Sequence, residues 1–290
     1  MIPGPFTYHR PSSLDEAVAI LAAHGDEARP LAGGHSLIPM MKLRMAAPDH
    51  LVDLAGVASL RGIDAEGGEI VVGATVTQAE LIASSLLARD IPIIREAALQ
   101  IADPQIRSVG TLGGNVANGD PGNDMPALMQ ALGASYVLYG PGGERRVPAA
   151  DFYHGAYDVA LEPGEILAAI RIPVPPPGHG YAYEKLKRKI GDYATAAAAV
   201  ILTAKDGVVS HCAIALTNLA STPLLATQAA ALVVGSACDA AMVVGAAEAA
   251  KAVTDPAADG RGPAEYRREM AGVMVSRALA KAYSRTARGA

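Results

Sequence analysis

The sequence predicts an α+β fold. In the middle of the chain, predicted strands greatly outnumber the helices that could connect them, which argues against a doubly wound parallel sheet. Toward the C-terminus, alternating apolar patterns predict about three antiparallel strands, and helical patterns follow them. The chain has 290 residues, of which 51% are apolar, so it can bury the cores of two or three domains.

The first unit, residues 1–56, opens with the clearest helix of the sequence. Ser13 and Glu16 have the spacing of a capping box, and Gly25 supplies a helix stop. The predicted elements are a helix over 12–25, an extended run over 29–32, a helix over 37–45 and a strand over 51–54. Together they predict a small α/β unit.

The second unit, residues 57–176, is expected to be rich in strands. Thr77 and Glu80 form a second predicted capping box at the start of a short helix. Gly140-Pro-Gly-Gly143 and Glu162-Pro-Gly164 predict turns between the later strands. The predicted elements are strands over 69–73, 135–139, 145–148 and 166–173, and helices over 78–83 and 91–101.

A proline-rich segment, Pro173–Gly180, predicts the main domain boundary, because consecutive prolines favour an extended linker. The third unit, residues 177–290, is expected to hold an antiparallel sheet and a helical bundle. Its predicted strands cover 181–189, 194–204 and 208–216, and its predicted helices cover 224–234, 239–253 and 262–286. The basic residues of the last helix are expected mostly to face solvent, namely Arg267, Arg268, Arg277, Lys281 and Arg285.

The stretch Ser108–Pro126 is the most informative part of the chain for function. It has no aromatic residue, and its glycines lie at 110, 113, 114, 119 and 122. Glycine permits positive φ and close approach to the backbone, so such a loop can turn N–H groups toward an anion. Asp124 is expected near the N-cap of a following helix that ends at Gly133.

A second glycine loop, Leu31–Ser36, lies upstream. Two such loops predict the walls of one phosphate-binding cleft. At Gly114 in particular, we expect close approach of another group together with a positive φ. The alternative is that both loops are only tight turns, since Gly-Gly pairs are common in turns.

Composition and motifs exclude several other functions. A net charge of −5 argues against a nucleic-acid partner, and the longest apolar run, residues 194–204, is too short to cross a bilayer. Cys212 and Cys238 are too few for the four thiolates of an iron–sulfur cluster. Known hydrolytic and nucleotide motifs are absent, so no catalytic residue and no metal ligand is assigned. Because the start of the chain lacks the apolar segment of a signal peptide, we expect a cytoplasmic, cofactor-binding chain.

Two motifs, Ala32-Gly-Gly-His-Ser36 and Thr111-Leu-Gly-Gly-Asn115, resemble the paired pyrophosphate motifs of the FAD-binding medium subunits of molybdenum hydroxylases, the xanthine dehydrogenase family. Segments 120–124, 185–188 and 191–193 add to the resemblance, which covers nearly the whole chain and is greatest to the carbon monoxide dehydrogenase branch. It implies two α+β FAD-binding subdomains of the vanillyl-alcohol oxidase (PCMH) type. A C-terminal domain with a three-stranded antiparallel sheet and a helical bundle would follow.

The same resemblance implies which residues contact FAD. The backbone of both motifs would surround the diphosphate, and these residues are Ala32, Gly33, Gly34, His35, Ser36, Thr111, Leu112, Gly113, Gly114 and Asn115. Asp124 would bond the ribose or ribityl side, Leu167 would lie beside the adenine end, and Lys185 would also contact FAD. Ile101 would adjoin the flavin, and Tyr193 would cover the isoalloxazine.

The family implies an electron-transfer subunit. FAD would receive electrons from [2Fe-2S] clusters on a small subunit, which a molybdenum cofactor on a large subunit would reduce. The acceptor would be a quinone, NAD or another molecule. The expected assembly is a dimer of heterotrimers, which could associate with the inner face of the membrane. One alternative is a self-contained FAD-dependent oxidoreductase acting on a small molecule, and another is a non-enzymatic assembly protein whose glycine loops are turns.

Overall fold

The computed structural model describes residues 2–286. The N-terminal unit is a three-stranded parallel sheet of strand order β1-β3-β2 with two helices. Its elements are β1 (Thr7–His9), α1 (Leu14–His24), β2 (Ala28–Leu31), α2 (Leu37–Lys42) and β3 (His50–Asp53). Sequence analysis misses β1, because a polar three-residue strand has no periodicity of its own and exists only by pairing with β3.

Local capping explains where α1 begins and ends. The hydroxyl of Ser13 accepts the backbone N–H of Glu16, as predicted, but the Glu16 carboxylate accepts the backbone N–H of Ser12 instead of that of Ser13. Gly25 ends the helix with φ +50°. Buried residues of α1 then pack on Val52 and Leu54, which fixes the helix on one face of the sheet.

The second unit is a five-stranded antiparallel sheet of strand order β4-β5-β10-β6-β7. Its strands are β4 (Ile63–Glu66), β5 (Glu69–Gly73), β6 (Ser135–Gly140), β7 (Gly143–Pro148) and β10 (Ile166–Pro173), and a hairpin of β8 (Tyr153–Gly155) and β9 (Asp158–Val159) lies beside them. The predicted strands over 69–73 and 166–173 form with the predicted bounds.

Six short helices cover one side of this unit. They are α3 (Gln78–Ala83), α4 (Ser85–Asp90), α5 (Pro92–Ala98), α6 (Pro104–Arg107), α7 (Leu112–Ala117) and α8 (Asp124–Ala131). The capping box of Thr77 and Glu80 is present at the start of α3. The structure corrects the prediction of a helix over 91–101, because α5 begins with Pro92 as its first residue and already ends at Ala98.

The C-terminal unit is a sheet of strand order β11-β12-β13-β14 with three helices. Its elements are β11 (Gly180–Leu186), β12 (Ala196–Lys205), β13 (Val208–Thr217), β14 (Leu224–Leu225), α9 (Thr227–Val233), α10 (Ala240–Ala252) and α11 (Ala264–Thr286). The three long antiparallel strands form as predicted. The two-residue β14 adds an edge strand where the sequence predicts the start of a helix.

Strand β12 is buried on both faces, which explains its unbroken apolar sequence. Ala197, Ala199 and Ile201 belong to the core beneath the second unit. The alternate residues Ala198 and Val200 belong to the core beneath α9, α10 and α11. Because side chains alternate across a strand, small residues on both faces let two layers pack against one sheet.

Helix α11 corrects the expectation that its basic residues mostly face solvent. Arg267 is buried and donates to the carbonyl oxygens of Thr195, Ala257 and Asn218. Lys281 forms ion pairs with Glu96 and Glu184, and Arg285 pairs with Glu96. Lys281 and Arg285 therefore fasten α11 to β11 and α5, while Arg277 faces solvent as expected. Within residues 2–286, none of the helices is both long and apolar enough to cross a membrane.

Candidate cofactor-binding site

A cavity of about 650 Å³ lies where the three units meet. Fourteen predicted site residues line it: Ala32, Gly33, Gly34, His35, Ser36, Ile101, Thr111, Gly113, Gly114, Asn115, Asp124, Leu167, Lys185 and Tyr193. Leu112 is the exception, because its side chain is fully buried in the core beneath the cavity. The volume lies in the range typical of small-molecule and cofactor sites.

The first glycine motif, residues 32–36, connects the end of β2 to the start of α2. Gly34 has φ +73°, a conformation that residues with a Cβ rarely adopt. Within residues 2–286, the backbone N–H groups of Gly33, Gly34, His35 and Ser36 donate to no protein acceptor. This motif therefore presents a row of unpaired donors at the cavity, which suits an anionic group.

The second glycine motif is not the open loop that the sequence predicts. Thr111 is the N-cap of α7, and its hydroxyl accepts the Gly114 N–H at 3.0 Å. Leu112 and Val116 are buried, so this glycine-rich segment does contribute to the core. The expected positive φ at Gly114 is wrong, because Gly114 is a residue of this helix.

The backbone N–H groups of the second motif are already used. Leu112 donates to the Val76 carbonyl at 2.8 Å, and Gly113 donates to the Ala74 carbonyl at 2.9 Å. Asn115 donates to the Thr111 carbonyl at 3.1 Å. The second motif thus supplies a rigid wall, and its amides are not available to an anion in this arrangement.

The first motif packs against the backbone that leads into the second motif. A Cβ added at Gly33 would collide with the Val109 carbonyl oxygen and lie 2.8 Å from the Gly110 Cα. A Cβ added at Gly114 would lie 2.8 Å from the Thr111 hydroxyl and 3.7 Å from the Ala32 Cβ. Glycine at 33 is therefore required for close approach of the two walls, whereas a side chain at 114 would first disturb the Thr111 cap.

Asp124 and Lys185 meet in a buried ion pair at one side of the cavity. The Lys185 Nζ lies 2.7 Å from the Asp124 Oδ2, and the two side chains are 1% and 5% exposed. The Tyr183 hydroxyl donates to the other carboxylate oxygen, Oδ1. Burial and the Asp124 carboxylate raise the pKa of Tyr183 well above its usual range. Tyr183 therefore stays a neutral donor, and it joins β11 to the start of α8.

The segment around Ile101 lies at the contact between the second and third units. The Nζ atoms of Lys185 and Lys187 lie 3.5 Å and 3.3 Å from the Gln100 carbonyl oxygen. Burial, together with the neighbouring Lys185 charge, lowers the pKa of Lys187. A Cβ added at Gly191 would lie 3.4 Å from the Ala102 backbone. These contacts hold the segment in place, and Ile101 lies on the cavity wall.

Tyr193 crosses from the third unit to the central glycine segment. A Cβ added at Gly122 would lie 2.7 Å from the Tyr193 ring, and the Arg261 guanidinium lies 5.5 Å from the ring centroid. Tyr193 as a whole residue is 40% exposed. Burial and the Asp120 carboxylate raise the pKa of Tyr193 to about 12. An Arg188–Asp192 ion pair of 2.8 Å shapes the preceding turn.

Leu167, in β10, also lines the cavity. Its register with β6 shifts between Leu167 and Ala169, so the strand bulges at this point. A bulge redirects side chains. Leu167 is 4% exposed and borders the cavity, which gives this part of the cavity an apolar surface.

Tyr183 and Gln78 escape the sequence analysis, which assigns Asn115 only through its backbone. Tyr183 could have been found, because it lies two residues before Lys185 on the same face of β11. Gln78 lines the cavity with both polar atoms of its side chain buried and unpartnered, and no sequence signal marks it. The buried Asn115 Oδ1 likewise has no partner among the described residues. Unpartnered buried groups on a cavity wall call for a ligand.

Comparison with known proteins agrees with this geometry. Residues 4–175 match the family described as the FAD binding domain in molybdopterin dehydrogenase, and residues 181–282 match the CO dehydrogenase flavoprotein C-terminal domain. These two matches account for nearly the whole chain.

Individual relatives match over nearly the full length. The chain is 62% identical to the carbon monoxide dehydrogenase medium chain of Afipia carboxidovorans, over 98% of this chain and 99% of the relative. It is 50% identical to the medium chain of Hydrogenophaga pseudoflava, over 99% and 100%. A crystal structure of the Cu,Mo-CO dehydrogenase in its cyanide-inactivated form superposes with a TM-score of 0.97 at 62% identity, over 98% of this chain and 100% of that one. The chain therefore belongs to the family of FAD-binding medium chains of molybdopterin dehydrogenases.

Proposed function

We propose that this chain is the FAD-carrying electron-transfer subunit of a molybdenum hydroxylase of the carbon monoxide dehydrogenase type. One observation carries the proposal: two glycine motifs, a buried Asp124–Lys185 pair and Tyr193 all border one cavity of about 650 Å³. The full-length similarity to carbon monoxide dehydrogenase medium chains supports the complex type.

The residues of the cavity fit FAD. The unpaired N–H groups of residues 33–36 would hold the diphosphate without a neutralising side chain. The unpartnered Asn115 Oδ1 would accept a hydroxyl from the ribityl or ribose portion. The Asp124 carboxylate accepts from Lys185 and Tyr183, and its remaining lone pairs could accept hydroxyl groups of the ligand. Bound FAD would supply the redox chemistry of the subunit.

Apolar and aromatic residues would place the ring system and the adenine. Tyr193, held between Gly122 and Arg261, would cover one face of the isoalloxazine. Ile101 would border the flavin and Leu167 the adenine end, and both line the cavity. These contacts exclude water and orient the ring, while the phosphate contacts supply most of the binding energy.

The charged groups of the cavity favour electron transfer over substrate oxidation on this chain. Three carboxylates line the cavity, and each forms an ion pair: Asp124 with Lys185, Glu165 with Arg145, and Asp192 with Arg188. The Arg188 partner holds the pKa of Asp192 below its usual range. Burial raises the pKa of Glu165, but Arg145 outweighs it and holds that pKa low as well, which makes both carboxylates weak bases. The self-contained flavoenzyme needs a general acid or base beside the ring, and these groups do not provide one.

The complex that we propose contains two further subunits. A small subunit would carry the [2Fe-2S] clusters and a large subunit the molybdenum cofactor, in a dimer of heterotrimers. Electrons would leave toward a quinone, NAD or another acceptor. In this chain, residues 1–56 and 57–176 would form the two FAD-binding subdomains, and residues 177–290 the flavoprotein C-terminal domain.

Flavin reduction, compared between the native complex and the isolated FAD-loaded chain, distinguishes an electron-transfer subunit from a self-contained flavoenzyme. Carbon monoxide should bleach the flavin absorbance of the native complex and leave that of the isolated chain unchanged. Acid precipitation should release one FAD per chain, because the proposed contacts are non-covalent. Release of FMN would contradict the proposed diphosphate contacts, and flavin retained in the precipitate would contradict non-covalent binding. An isolated chain that oxidises a small substrate at the full rate of the native preparation would establish the self-contained enzyme instead.

A further inference from the structure

Three imidazole side chains meet on the N-terminal unit, away from the cavity. His9, His24 and His50 each offer a ring nitrogen, and these three atoms lie within 4.8 Å of one another. All three residues are half-buried. They are far apart in the sequence and match no metal-ligand spacing, so only the fold reveals them.

The topology of the unit explains why the three residues converge. In the parallel pairing of β1 with β3, Thr7 lies opposite His50 and His9 opposite Val52. His9 and His50 therefore point to the same face of the sheet, because side chains alternate along a strand. That face is the one covered by α1, whose last residue is His24.

The distances suit metal coordination. The His9 Nε2 lies 2.9 Å from the His50 Nδ1, and the His24 and His50 rings stack with centroids 3.6 Å apart. Two ligands of a tetrahedral ion with metal–nitrogen bonds of about 2.0–2.1 Å are separated by about 3.3–3.4 Å. Binding of one ion by all three nitrogens would require the His24 ring to turn out of its stack on His50, and the ion would replace the hydrogen bond between His9 and His50.

We propose that His9, His24 and His50 bind one divalent transition-metal ion of the Zn²⁺ type. Three neutral imidazoles without a carboxylate in the set favour Zn²⁺ or Cu²⁺ over Mg²⁺ or Ca²⁺. The C-terminal end of α1, where His24 lies, carries the negative end of the helix dipole and favours a cation. A fourth ligand would be water, since the histidines are only half-buried.

The ion would act as a structural clip. It would tie β1, the end of α1 and the start of β3 together. Ala28, the first residue of β2, pairs with His50, and Leu31 at the other end of β2 leads into the glycine motif of residues 32–36. Four residues of strand span about 13 Å, so the clip would stabilise the unit that carries the diphosphate loop without touching the cavity.

Titration of Zn²⁺ into the tag-free, EDTA-treated and dialysed full chain tests this proposal by calorimetry, with thermal unfolding as a second readout. We expect one tight Zn²⁺ per chain and a rise of Tm with added Zn²⁺. His24→Ala should weaken binding by more than the roughly 10–100-fold that loss of an outer-shell partner costs. His9→Gln should do the same, and it serves as the second variant if His24→Ala does not fold.

His211→Ala is the matched control, because His211 is exposed on β13 in the third unit. It should bind Zn²⁺ like the wild type. Zn²⁺ binding that is equally strong in His24→Ala, His9→Gln and His211→Ala would overturn the proposal, as would the absence of stoichiometric binding to the wild type. FAD content is measured on the same samples. The Zn²⁺ result therefore stands apart from the proposed electron-transfer function.

Discussion

The two glycine motifs have similar sequences and opposite hydrogen bonding. In residues 32–36, the N–H groups of Gly33 to Ser36 have no protein acceptor within residues 2–286. In residues 111–115, the N–H groups of Leu112, Gly113, Gly114 and Asn115 all donate to protein oxygens. The first motif is therefore suited to bind a ligand, and the second holds the wall against which that ligand would lie.

This comparison divides the site into partnered and unpartnered groups. The partnered groups are the second motif and the Asp124–Lys185–Tyr183 cluster. The unpartnered groups are the amides of the first motif, the Asn115 Oδ1 and the side-chain amide of Gln78. Changes to partnered groups should lower the free energy of unfolding of the chain without FAD, whereas changes to unpartnered groups should lower FAD affinity and leave stability intact.

The largest effect is expected from Lys185→Met. The change leaves the buried Asp124 carboxylate without its counter-charge, which costs about 3–5 kcal/mol of unfolding free energy. Urea unfolding of the chain without FAD measures it. Lys187→Met is the matched control, since Lys187 contacts the same Gln100 carbonyl but forms no ion pair among the described residues. Equal stabilities of the two variants would show that the pair does not support the fold.

The second-largest loss of unfolding free energy is expected from Gly113→Ala. The added Cβ would lie 2.5 Å from the Ala74 Cβ, and overpacking of this kind costs about 1–3 kcal/mol. Gly245→Ala is the control, because Gly245 also lies in a helix but has open space around its Cβ position. That change should stabilise by up to about 1 kcal/mol. Thermal and urea unfolding compare the two, and a neutral Gly113→Ala would argue against close packing of α7.

Asn115→Ala tests the prediction that unpartnered groups contribute to FAD affinity and not to stability. The change removes the Oδ1 acceptor and keeps the Asn115 backbone carbonyl, which accepts the Asn123 side chain. Loss of one hydrogen bond of about 0.5–1.5 kcal/mol lowers FAD affinity by up to about tenfold. The unfolding free energy should not fall. A loss of stability with unchanged FAD affinity would move Asn115 to the partnered group.

A smaller loss of unfolding free energy is expected when the pH is lowered. Burial raises the pKa of Glu96, but the Tyr183 N–H, Lys281 and Arg285 outweigh it and hold the pKa below its usual range. Because the pKa of Glu96 is lower in the folded chain than in the unfolded chain, its ionised carboxylate stabilises the fold at pH values above the unfolded pKa of about 4.3. This contribution to the free energy of unfolding disappears as the pH falls through the lower pKa of the folded chain. Urea unfolding across this window should show a stability loss in the wild type that Glu96→Gln reduces. Parallel pH profiles would contradict this role.

The sequence predicted the elements whose signals are local. Strand Glu69–Gly73 and the capped helix Gln78–Ala83 have the predicted bounds, because their periodicity and caps lie within the element. Strands such as Thr7–His9 were missed, since only pairing with another strand defines them. Arg267 was expected to face solvent, and its burial depends on three carbonyls from distant segments.

In the candidate site, too, local sequence signals do not reveal which tertiary contacts form. Both predicted motifs border one cavity, but local sequence does not tell which amides are used within the protein. That outcome depends on Ala74 and Val76, whose carbonyls accept from the second motif. The Asp124–Tyr183 contact likewise joins residues of two units. Acceptors supplied by tertiary structure therefore decide which of two similar motifs keeps its donors for a ligand.

Backbone amide hydrogen exchange, resolved by residue and measured with and without FAD, tests the division between the two motifs most directly. The amides of residues 33–36 should exchange quickly in the chain without FAD and become protected when FAD binds. The amides of residues 112–115 should be protected in both states, because protein oxygens already accept them. Protection that FAD confers on residues 112–115 but not on residues 33–36 would contradict the account.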